Sequence, residues 1–481
     1  MPIVMTRPQR AKEHTVPTAK PPRRIAGASV VVIGLARSGL AAALMLADKG
    51  ARVFVSDSGN AAALAGPIHA LNEKKIPYET GIHSVERLVG VDYLVTSPGV
   101  KDDNPLIIAA TAQKIPVYSE IEVAFWLSKA PVLAVTGANG KTTTTSWLGA
   151  IYAGAGHDAQ VGGNIGRAYA DFAANLNVHA RAILEISSFQ LERVETFRPH
   201  VAAILNITPD HLDRHGSFAE YTRLKFRLLE NQTADDYTVL NADDPVLVDW
   251  NTRNPAGQGQ RWWFSAGDVP APGVWLSGDQ LVYDTGVRRG KIPGSEHLIP
   301  PGMHNRLNAA AAVAVALADN LSPEEIAPGL ASFPGCEHRL ERVAEINGVT
   351  YVNDSKATNP DSVAKAIVAF DRPLVVIMGG LDKGTDFGVL ADDLARHARA
   401  LIFTGKAAAK LEVELGTRLP YRTAHRFADA FAAAVETAQP GDVVLLSPGC
   451  ASFDQFDNYE HRGRVFKQLI AELAADSERT S

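Results

Sequence analysis

The chain has 481 residues, 46% of them apolar and 21% charged, and its formal net charge is −6. This length predicts about three domains, and the composition excludes an intrinsically disordered chain. Two cysteines are too few for a disulfide scaffold and favour a reducing cytoplasm, and the weak negative charge argues against nucleic acid as a partner. The longest apolar run, residues 309–318, is too short to cross a bilayer, so we expect no membrane span.

The first folded segment is predicted to contain parallel strands joined by a tight turn and helices. Residues 1–27 are basic and rich in proline, and we expect them to form a disordered tail. A glycine-containing turn at residues 34–39 follows the first strand, and Asp57 closes the second. The predicted strands are Val30–Ile33, Val53–Val55 and Tyr93–Thr96. We therefore predict a Rossmann-like domain at residues 28–129.

Two further segments begin in the same way, with a buried strand that runs into polar or glycine-rich residues. The second covers residues 130–334, with predicted strands at 132–135, 182–184 and 201–205. The third covers residues 335–481, with predicted strands at 349–352, 374–378, 401–403 and 443–446. The predicted fold is α/β, with three domains that are each built on a mainly parallel sheet with helices on both faces. The central domain is expected to be a P-loop ATPase, and the last is expected to be Rossmann-like.

The strongest motif is Thr136–Thr143, which lies between a predicted strand and a predicted helix. In a phosphate loop, glycines let backbone N–H groups converge on phosphate oxygens. Lys141 would place a positive charge at the β- and γ-phosphates, and the Thr142 hydroxyl could reach Mg2+. The predicted nucleotide-binding residues are Gly137, Ala138, Asn139, Gly140, Lys141, Thr142 and Thr143. The alternative is a tight turn that holds no ligand.

Two polar residues follow the next predicted strands. Because Mg2+ prefers oxygen ligands, Glu185 is a natural candidate ligand, whereas His211 is a less natural one. The alternative for both is a solvated or hydrogen-bonded residue at a strand end. Lys225 lies on a predicted helix, Tyr221–Glu230, where an isolated lysine is usually a surface charge.

Taken together, six segments resemble the Mur ligase family. They are the phosphate loop, Glu185–Gln190, Asp210–His215, Gly302–Asn308, Asn353–Asn359 and Leu446–Phe456. The Ser-Ser-Phe-Gln and Ser-Phe-Asp-Gln-Phe stretches are similar to those of the members that add D-glutamate. The resemblance implies that ATP phosphorylates the carboxylate of UDP-N-acetylmuramoyl-L-alanine, and that the amine of D-glutamate then attacks the acyl phosphate. A monomeric cytoplasmic enzyme is expected.

The resemblance also implies roles for individual residues. ATP would contact the phosphate loop together with Asn305, Asn308, Arg339, Asp354 and Lys356. Two Mg2+ ions would be held by Thr142, Glu185, His211 and a carbamylated Lys225, and the catalytic residues would be Lys141, His211 and Lys225. The UDP substrate would contact Arg37, Ser38, Asp57, Ser58, Ser97, Gly99, Asn164 and His211. D-Glutamate would contact Thr358, Lys383, Ser452, Phe453 and Tyr459.

Several of these residues also have plain structural explanations. Asp354 belongs to a residue type that favours turns and caps, and Lys383 could be an exposed loop lysine. Tyr459 stands where the family often has phenylalanine and could be a packed aromatic of the last helix. Gly59 replaces an arginine of some relatives, and we hypothesise that Arg37 compensates for it at the diphosphate.

Four other functions compete with this interpretation. The turn at Gly34–Gly39 followed by Asp57 resembles a dinucleotide site of an oxidoreductase, but Ala36 replaces the glycine that lets the backbone meet a pyrophosphate. The chain could instead be a Mur ligase for another amino acid, or a folylpolyglutamate synthase. Finally, it could bind a nucleotide without turnover.

Overall fold

The computed structural model describes residues 24–254, 259–300, 302–382 and 384–480. The chain forms two compact units. One holds most of the chain up to Trp275 together with Val282–Gly290 and Ala311–Ile326, and the other holds Leu276–Leu281, Lys291–Ala310 and Ala327–Ser481. Most of the predicted tail and Lys383 lie outside the described residues. Within the described part, no helix is both long and apolar enough to span a membrane.

The first sheet has five parallel strands in the order β3-β2-β1-β4-β5. Its elements are β1 (Ser29–Ile33), α1 (Arg37–Asp48), β2 (Arg52–Asp57), α2 (Ala65–Glu73), β3 (Tyr78–Thr80), β4 (Tyr93–Thr96), α3 (Pro105–Ala112), β5 (Val117–Ser119) and α4 (Glu120–Phe125). All three predicted strands of this segment are confirmed.

Strand β1 explains why this sheet is covered on both faces. Its side chains alternate between two apolar clusters, so that Val30 and Val32 pack with residues of α1 while Val31 and Ile33 pack with residues of α3. The turn that follows requires glycine at Gly39, since a Cβ atom there would lie 1.8 Å from the carbonyl oxygen of Gly34.

The central sheet has nine strands in the order β14-β13-β12-β11-β10-β9-β6-β8-β7. Its elements are β6 (Val132–Thr136), α5 (Lys141–Gly154), β7 (Ala159–Gly163), β8 (Arg181–Glu185), α6 (Ser188–Leu191), β9 (Val201–Ile204), α7 (Leu212–His215), α8 (Phe218–Phe226), β10 (Tyr237–Asn241), α9 (Pro245–Arg253), β11 (Gln260–Ser265), β12 (Gly273–Ser277), β13 (Gln280–Asp284), β14 (Arg289–Lys291), α10 (Met303–Ala318) and α11 (Pro323–Ser332). The predicted helix Tyr221–Glu230 was placed too late, because Ser217 caps α8 by accepting from the N–H of Glu220.

The third sheet has six strands in the order β15-β16-β20-β17-β18-β19. Its elements are β15 (Glu341–Ile346), β16 (Val349–Asn353), α12 (Pro360–Ile367), β17 (Leu374–Gly379), α13 (Ala391–His397), β18 (Ala398–Thr404), α14 (Ala408–Leu415), β19 (Tyr421–Ala424), α15 (Phe427–Thr437), β20 (Val443–Leu446) and α16 (Tyr459–Thr480). Only β15 runs antiparallel to its neighbour among the strand pairs described in this sheet. The predicted α/β fold with three mainly parallel sheets is confirmed.

Candidate active site

The phosphate loop joins the end of β6 to the start of α5, as the sequence predicts. Two of its glycines adopt backbone angles that other residues rarely reach, with φ of 150° at Gly137 and 86° at Gly140. Helix α5 begins directly after the loop, so its N-terminal N–H groups point towards the space that the loop encloses. This geometry is suited to a phosphate group.

Asn206 braces the phosphate loop, and sequence reasoning did not identify it. Its carbonyl oxygen accepts from the N–H of Ala138 at 3.0 Å, and its side-chain oxygen accepts from the N–H of Asn139 at 2.8 Å. Its side-chain amide donates to the carbonyl of Asn139 at 3.1 Å. The pairing of β6 with β9 could have revealed this contact, because Asn206 lies just past Ile204, the partner of Thr136.

Two lysines meet at one carbonyl of this loop. Lys141 Nζ donates to the carbonyl oxygens of Gly137 and Ala138 at 2.8 and 2.7 Å, and Lys225 Nζ donates to that of Gly137 at 2.8 Å. Lys225 is only 1% exposed, so it is not the surface charge that its helix suggests. Burial, and after it the charge of Lys141, lowers the pKa of Lys225 well below the usual lysine value, although Asp210 and Glu185 act in the opposite direction.

Glu185 lies at the end of β8 and is 2% exposed. Its carboxylate accepts from the Thr142 hydroxyl at 2.8 Å and from the Asn164 side-chain amide at 2.7 Å. The structure therefore brings together two of the predicted metal ligands, Thr142 and Glu185, beside the phosphate loop. A carboxylate and a hydroxyl form a set of oxygen donors that fits Mg2+.

His211 adopts a left-handed backbone, with φ of 52°, and its imidazole is 51% exposed. The ring lies 5.0 Å from that of Phe189, and its Nε2 is 3.6 Å from the carboxylate of Asp210. Phe189 belongs to the same turn as Ser187 and Gln190, which follows Glu185. His211 is therefore placed near that turn, on a strained backbone of the kind that collects at functional sites.

Two of the residues predicted for the UDP substrate, Arg37 and Asn164, contact each other, and Asn164 contacts Glu185. Arg37 Nη2 donates to the carbonyl of Asn164 at 3.1 Å, and the Ser97 hydroxyl donates to the carbonyl of Gly34 at 3.1 Å. Ser38 is buried, whereas Ser58 and Gly99 are exposed. These residues surround the carboxyl ends of the first sheet, where open parallel sheets bind ligands.

Asp57 is engaged by the backbone. Its carboxylate oxygens accept from the N–H of Leu35 at 2.5 Å and from the N–H of Gly59 at 2.6 Å. The carboxylate thereby joins the first turn to the end of β2. These two hydrogen bonds fix the position of the Asp57 side chain.

In the second unit, Asn305 and Asn308 lie one turn apart on α10 and are 3% and 8% exposed. Asp354 follows β16 and accepts from the Ser447 hydroxyl at 2.9 Å and from the N–H of Leu340, the residue after Arg339, at 3.2 Å. Burial raises the pKa of Asp354 to about 7, although Ser447 and Arg339 act in the opposite direction. The carboxyl group is thus held at the ends of neighbouring strands.

The residues predicted to contact D-glutamate lie at two strand ends of the same unit. Thr358 and Lys356 follow β16, and Lys356 Nζ lies 5.6 Å from the centre of the Tyr459 ring. Ser452 is buried and Phe453 is 66% exposed in the turn after β20. Lys383 lies outside the described residues.

Arg462 joins these two strand ends, and sequence reasoning missed it. It is 2% exposed and donates to the hydroxyl and carbonyl of Ser355 at 2.9 and 2.8 Å, and to the carbonyl of Cys450 at 3.2 Å. The signal that could have found it is its four-residue spacing from the buried Phe466 and Ile470 on α16, although an arginine is seldom buried unless it is paired.

Comparisons with known proteins agree with this arrangement. Residues 28–119 match the Mur ligase MurD-like N-terminal domain, residues 135–316 the Mur ligase middle domain, and residues 338–450 the Mur ligase glutamate ligase domain. Among solved structures, UDP-N-acetylmuramate-alanine ligase from Thermotoga maritima has a TM-score of 0.59 at 19% identity, covering 92% of this chain and 99% of its own. A pseudomurein peptide ligase type C from Methanothermus fervidus has a TM-score of 0.58 at 18% identity, covering 93% and 100%.

Two curated relatives are more similar in sequence. The UDP-N-acetylmuramoylalanine--D-glutamate ligase of Koribacter versatilis is 44% identical, covering 94% of this chain and 98% of its own. The enzyme of the same name from Acidobacterium capsulatum is also 44% identical, covering 92% and 96%. Since this identity extends over nearly the whole of both chains and all three domain types match, the chain belongs to the Mur ligase family.

Proposed function

We propose that this chain joins D-glutamate to UDP-N-acetylmuramoyl-L-alanine with hydrolysis of ATP to ADP and phosphate, a step in peptidoglycan precursor synthesis. The observation that carries this proposal is 44% identity over 98% of a ligase that is named for this reaction. The geometry agrees with it, since a phosphate loop that holds Lys141, beside a hydroxyl–carboxylate pair suited to Mg2+, fits phosphoryl transfer to a carboxylate.

The chemistry divides into two steps. A carboxylate oxygen of the L-alanyl group attacks the γ-phosphorus of ATP, ADP leaves, and an acyl phosphate forms. The amine of D-glutamate then attacks the acyl carbon, phosphate leaves with the attacking carboxylate oxygen, and the amine loses a proton. Positive charge at the phosphate loop stabilises the negative charge that is shared among the phosphoryl oxygens, and we assign this role to Lys141.

We assign the first Mg2+ to Thr142 and Glu185, because these oxygens already lie 2.8 Å apart beside the phosphate loop. Mg2+ neutralises phosphate charge when it is bound. A second ion would involve His211 and Lys225. The remaining contacts of ATP are assigned to the phosphate loop, to Asn305 and Asn308 on α10, and to Arg339, Asp354 and Lys356.

Lys225 suits carbamylation. Its burial and lowered pKa favour the neutral amine, which is the form that can attack the carbon of CO2 and lose a proton to give an anionic carbamate. The modification would turn a buried neutral amine next to Lys141 into an anionic oxygen ligand for Mg2+. The carbamate would then attract the ammonium of Lys141.

For the UDP substrate and for D-glutamate, we keep the contacts that the family resemblance implies. The UDP substrate is assigned to Arg37, Ser38, Asp57, Ser58, Ser97, Gly99, Asn164 and His211. D-Glutamate is assigned to Thr358, Lys383, Ser452, Phe453 and Tyr459. We further propose a cytoplasmic monomer whose domains divide at residues 28–129, 130–334 and 335–481 after the tail 1–27.

The direct test is phosphate release from ATP by the purified protein with UDP-N-acetylmuramoyl-L-alanine, Mg2+ and a panel of amino acids that includes both glutamate enantiomers. Release that depends on D-glutamate, with a UDP product of matching mass, is the expected result. Release with another amino acid would assign the chain to a different ligation of the same family, and no release with any pairing would contradict the proposal.

A further inference from the structure

The loop that connects β4 to α3 begins with Ser97, Pro98, Gly99 and Val100, and its start is anchored to the first turn of the fold. The Ser97 hydroxyl donates to the carbonyl of Gly34, and the N–H of Val100 donates to the carbonyl of Ser97 at 3.1 Å. We call residues 97–100 the β4–α3 loop. It carries two of the residues assigned to the UDP substrate.

An arginine of the central sheet region, Arg214, contacts the β4–α3 loop, and Arg193 pairs with Asp102 further along the same connection. Arg214 Nη2 donates to the carbonyl of Val100 at 2.7 Å and to the carboxylate of Glu192 at 3.0 Å. The side chains of Arg214 and Glu192 are 13% and 16% exposed, so water weakens this pair less than it weakens a surface ion pair. The guanidinium also lies over the ring of Phe189, 5.5 Å from its centre.

Glu192 connects the same arginine to the turn that follows Glu185. Its second carboxylate oxygen lies 3.6 Å from Nδ1 of His215, and Nε2 of His215 lies 3.0 Å from the hydroxyl of Ser188. The imidazole of His215 is 2% exposed. A continuous chain of polar contacts therefore runs from the β4–α3 loop to Ser188, three residues from Glu185.

We propose that Arg214 and Glu192 are positioning residues, which hold the β4–α3 loop in fixed register with the turn at Ser188. This inference rests on the proposed function. A UDP substrate that is bound at the loop must present its carboxylate beside the phosphate loop, and small errors of position cost much of the rate in such reactions. Arginine suits the task because its rigid planar group can hold a carbonyl and a carboxylate at once.

The variants Arg214→Ala and Glu192→Gln test this role. We expect kcat/KM for the UDP substrate to fall about tenfold in Arg214→Ala, with a smaller fall in Glu192→Gln, because a partly buried hydrogen bond to a charged group is lost. The KM for ATP should stay within about twofold of the unmodified value. Arg214→Lys should recover part of the loss, since an ammonium can still reach one acceptor.

Arg227→Ala is the matched control. Arg227 is 18% exposed and donates to the carbonyls of Leu191, Glu192 and Val194, so it stabilises the same segment from the opposite side. Its loss should lower the melting temperature without the selective loss of kcat/KM for the UDP substrate. A purely structural role for Arg214 would instead give the two variants the same kinetic profile.

The outcomes separate this inference from the proposed function. If the unmodified chain ligates D-glutamate but Arg214→Ala and Glu192→Gln keep kcat/KM for the UDP substrate, the positioning role is wrong and the function stands. If no ligation is seen, calorimetric titration with UDP-N-acetylmuramoyl-L-alanine still tests the role, since Arg214→Ala should bind it about tenfold more weakly than the unmodified chain. Equal binding, or no binding by the unmodified chain, would overturn it.

Discussion

The central sheet carries charged residues at both edges, and the two edges use them in different ways. At the edge where the strands begin, opposite charges are paired and buried. Arg181 Nε lies 2.7 Å from the carboxylate of Asp319, and Arg198 Nε lies 2.6 Å from that of Asp236. The Tyr152 hydroxyl also donates to Asp319, at 2.5 Å. Every one of these contacts satisfies a buried group.

At the edge where the strands end, two amines converge instead of an ion pair. Lys141 and Lys225 donate to the same carbonyl of Gly137, and Glu185 accepts from neutral donors. The lowered pKa of Lys225 reports the cost of burying this amine beside another lysine. The first edge therefore holds ion pairs that stabilise the fold, whereas the second buries an amine at some cost in stability, as functional sites often do.

The largest expected effect is the loss of turnover in Lys141→Ala, at the edge where the strands end. Turnover should fall by about 10³-fold or more, because a positive charge that meets the transferred phosphoryl group is lost. Phosphate release measures this effect. The melting temperature should change little, and a large fall in it would show that Lys141 belongs with the stabilising charges of the first edge.

Substitution of Lys225 is expected to lower turnover without lowering the melting temperature. Lys225→Met should reduce turnover by about 10²-fold while leaving the melting temperature unchanged or higher, because an apolar side chain replaces a buried amine of similar length. In the smaller variant Lys225→Ala, short carboxylic acids should restore part of the activity by supplying the oxygens of the missing carbamate. Unchanged activity in Lys225→Met would contradict the assigned role.

At the first edge, Asp319→Ala should act on stability. Removal of the carboxylate takes this acceptor from the buried hydroxyl of Tyr152 and from the partly buried guanidinium of Arg181, which should cost about 3 kcal/mol of unfolding free energy. Thermal unfolding measures this loss, and the KM for ATP, determined below the melting temperature, should not change. A selective rise in that KM would mean that the two edges are not separable.

The smallest effect expected is a pH dependence at Asp236. Burial alone would raise the pKa of Asp236, but hydrogen bonds from His200, Arg198 and the N–H of Thr233 lower it below the usual value. A depressed pKa in the folded state adds stability above the unfolded-state pKa of about 4 and loses it as the pH falls through the folded-state value. Asp236→Asn should therefore melt earlier than the unmodified chain at pH 7, with the gap closing below about pH 4.

Chemical denaturation of Asp236→Asn and of the unmodified chain across that pH range measures the difference in their free energies of unfolding. The matched control is Asp249→Asn, because Asp249 pairs with Arg253 on the exposed face of α9 and is 52% exposed. Surface pairs of this kind contribute little to stability. A difference that stays constant as the pH falls would show that the ionised carboxylate of Asp236 is not what stabilises the first edge.

Much of the fold could be predicted from the sequence, because short β-branched runs that end in polar residues are a strong signal of buried parallel strands. Strand β4 was predicted at its observed bounds, and so was β20. The segment around β11 to β14 was not predicted, since its apolar runs at residues 262–264, 274–276 and 281–283 are separated by stretches that contain glycine or proline. The phosphate loop could also be predicted, because its residues are contiguous in the sequence.

The residues that sequence reasoning missed act through contacts between distant segments. Asn206 braces a loop about 67 residues away, and Arg214 reaches a carbonyl 114 residues away. Lys225 was assigned only through family resemblance, because helix periodicity alone does not reveal a buried amine. A local sequence pattern does not show which distant residues lie close together. Strand pairing does show this, because β6, β8 and β9 are neighbours and end at the same edge of the sheet.

The central claim is that the site at the carboxyl ends of the central strands activates a carboxylate by phosphoryl transfer. Oxygen labelling tests this claim most directly. UDP-N-acetylmuramoyl-L-alanine labelled with 18O in its L-alanyl carboxylate is ligated to D-glutamate with ATP, and the released phosphate is analysed by mass spectrometry. Passage of one carboxylate oxygen through the acyl phosphate predicts one 18O atom in the phosphate. Ligation with unlabelled phosphate would contradict the account.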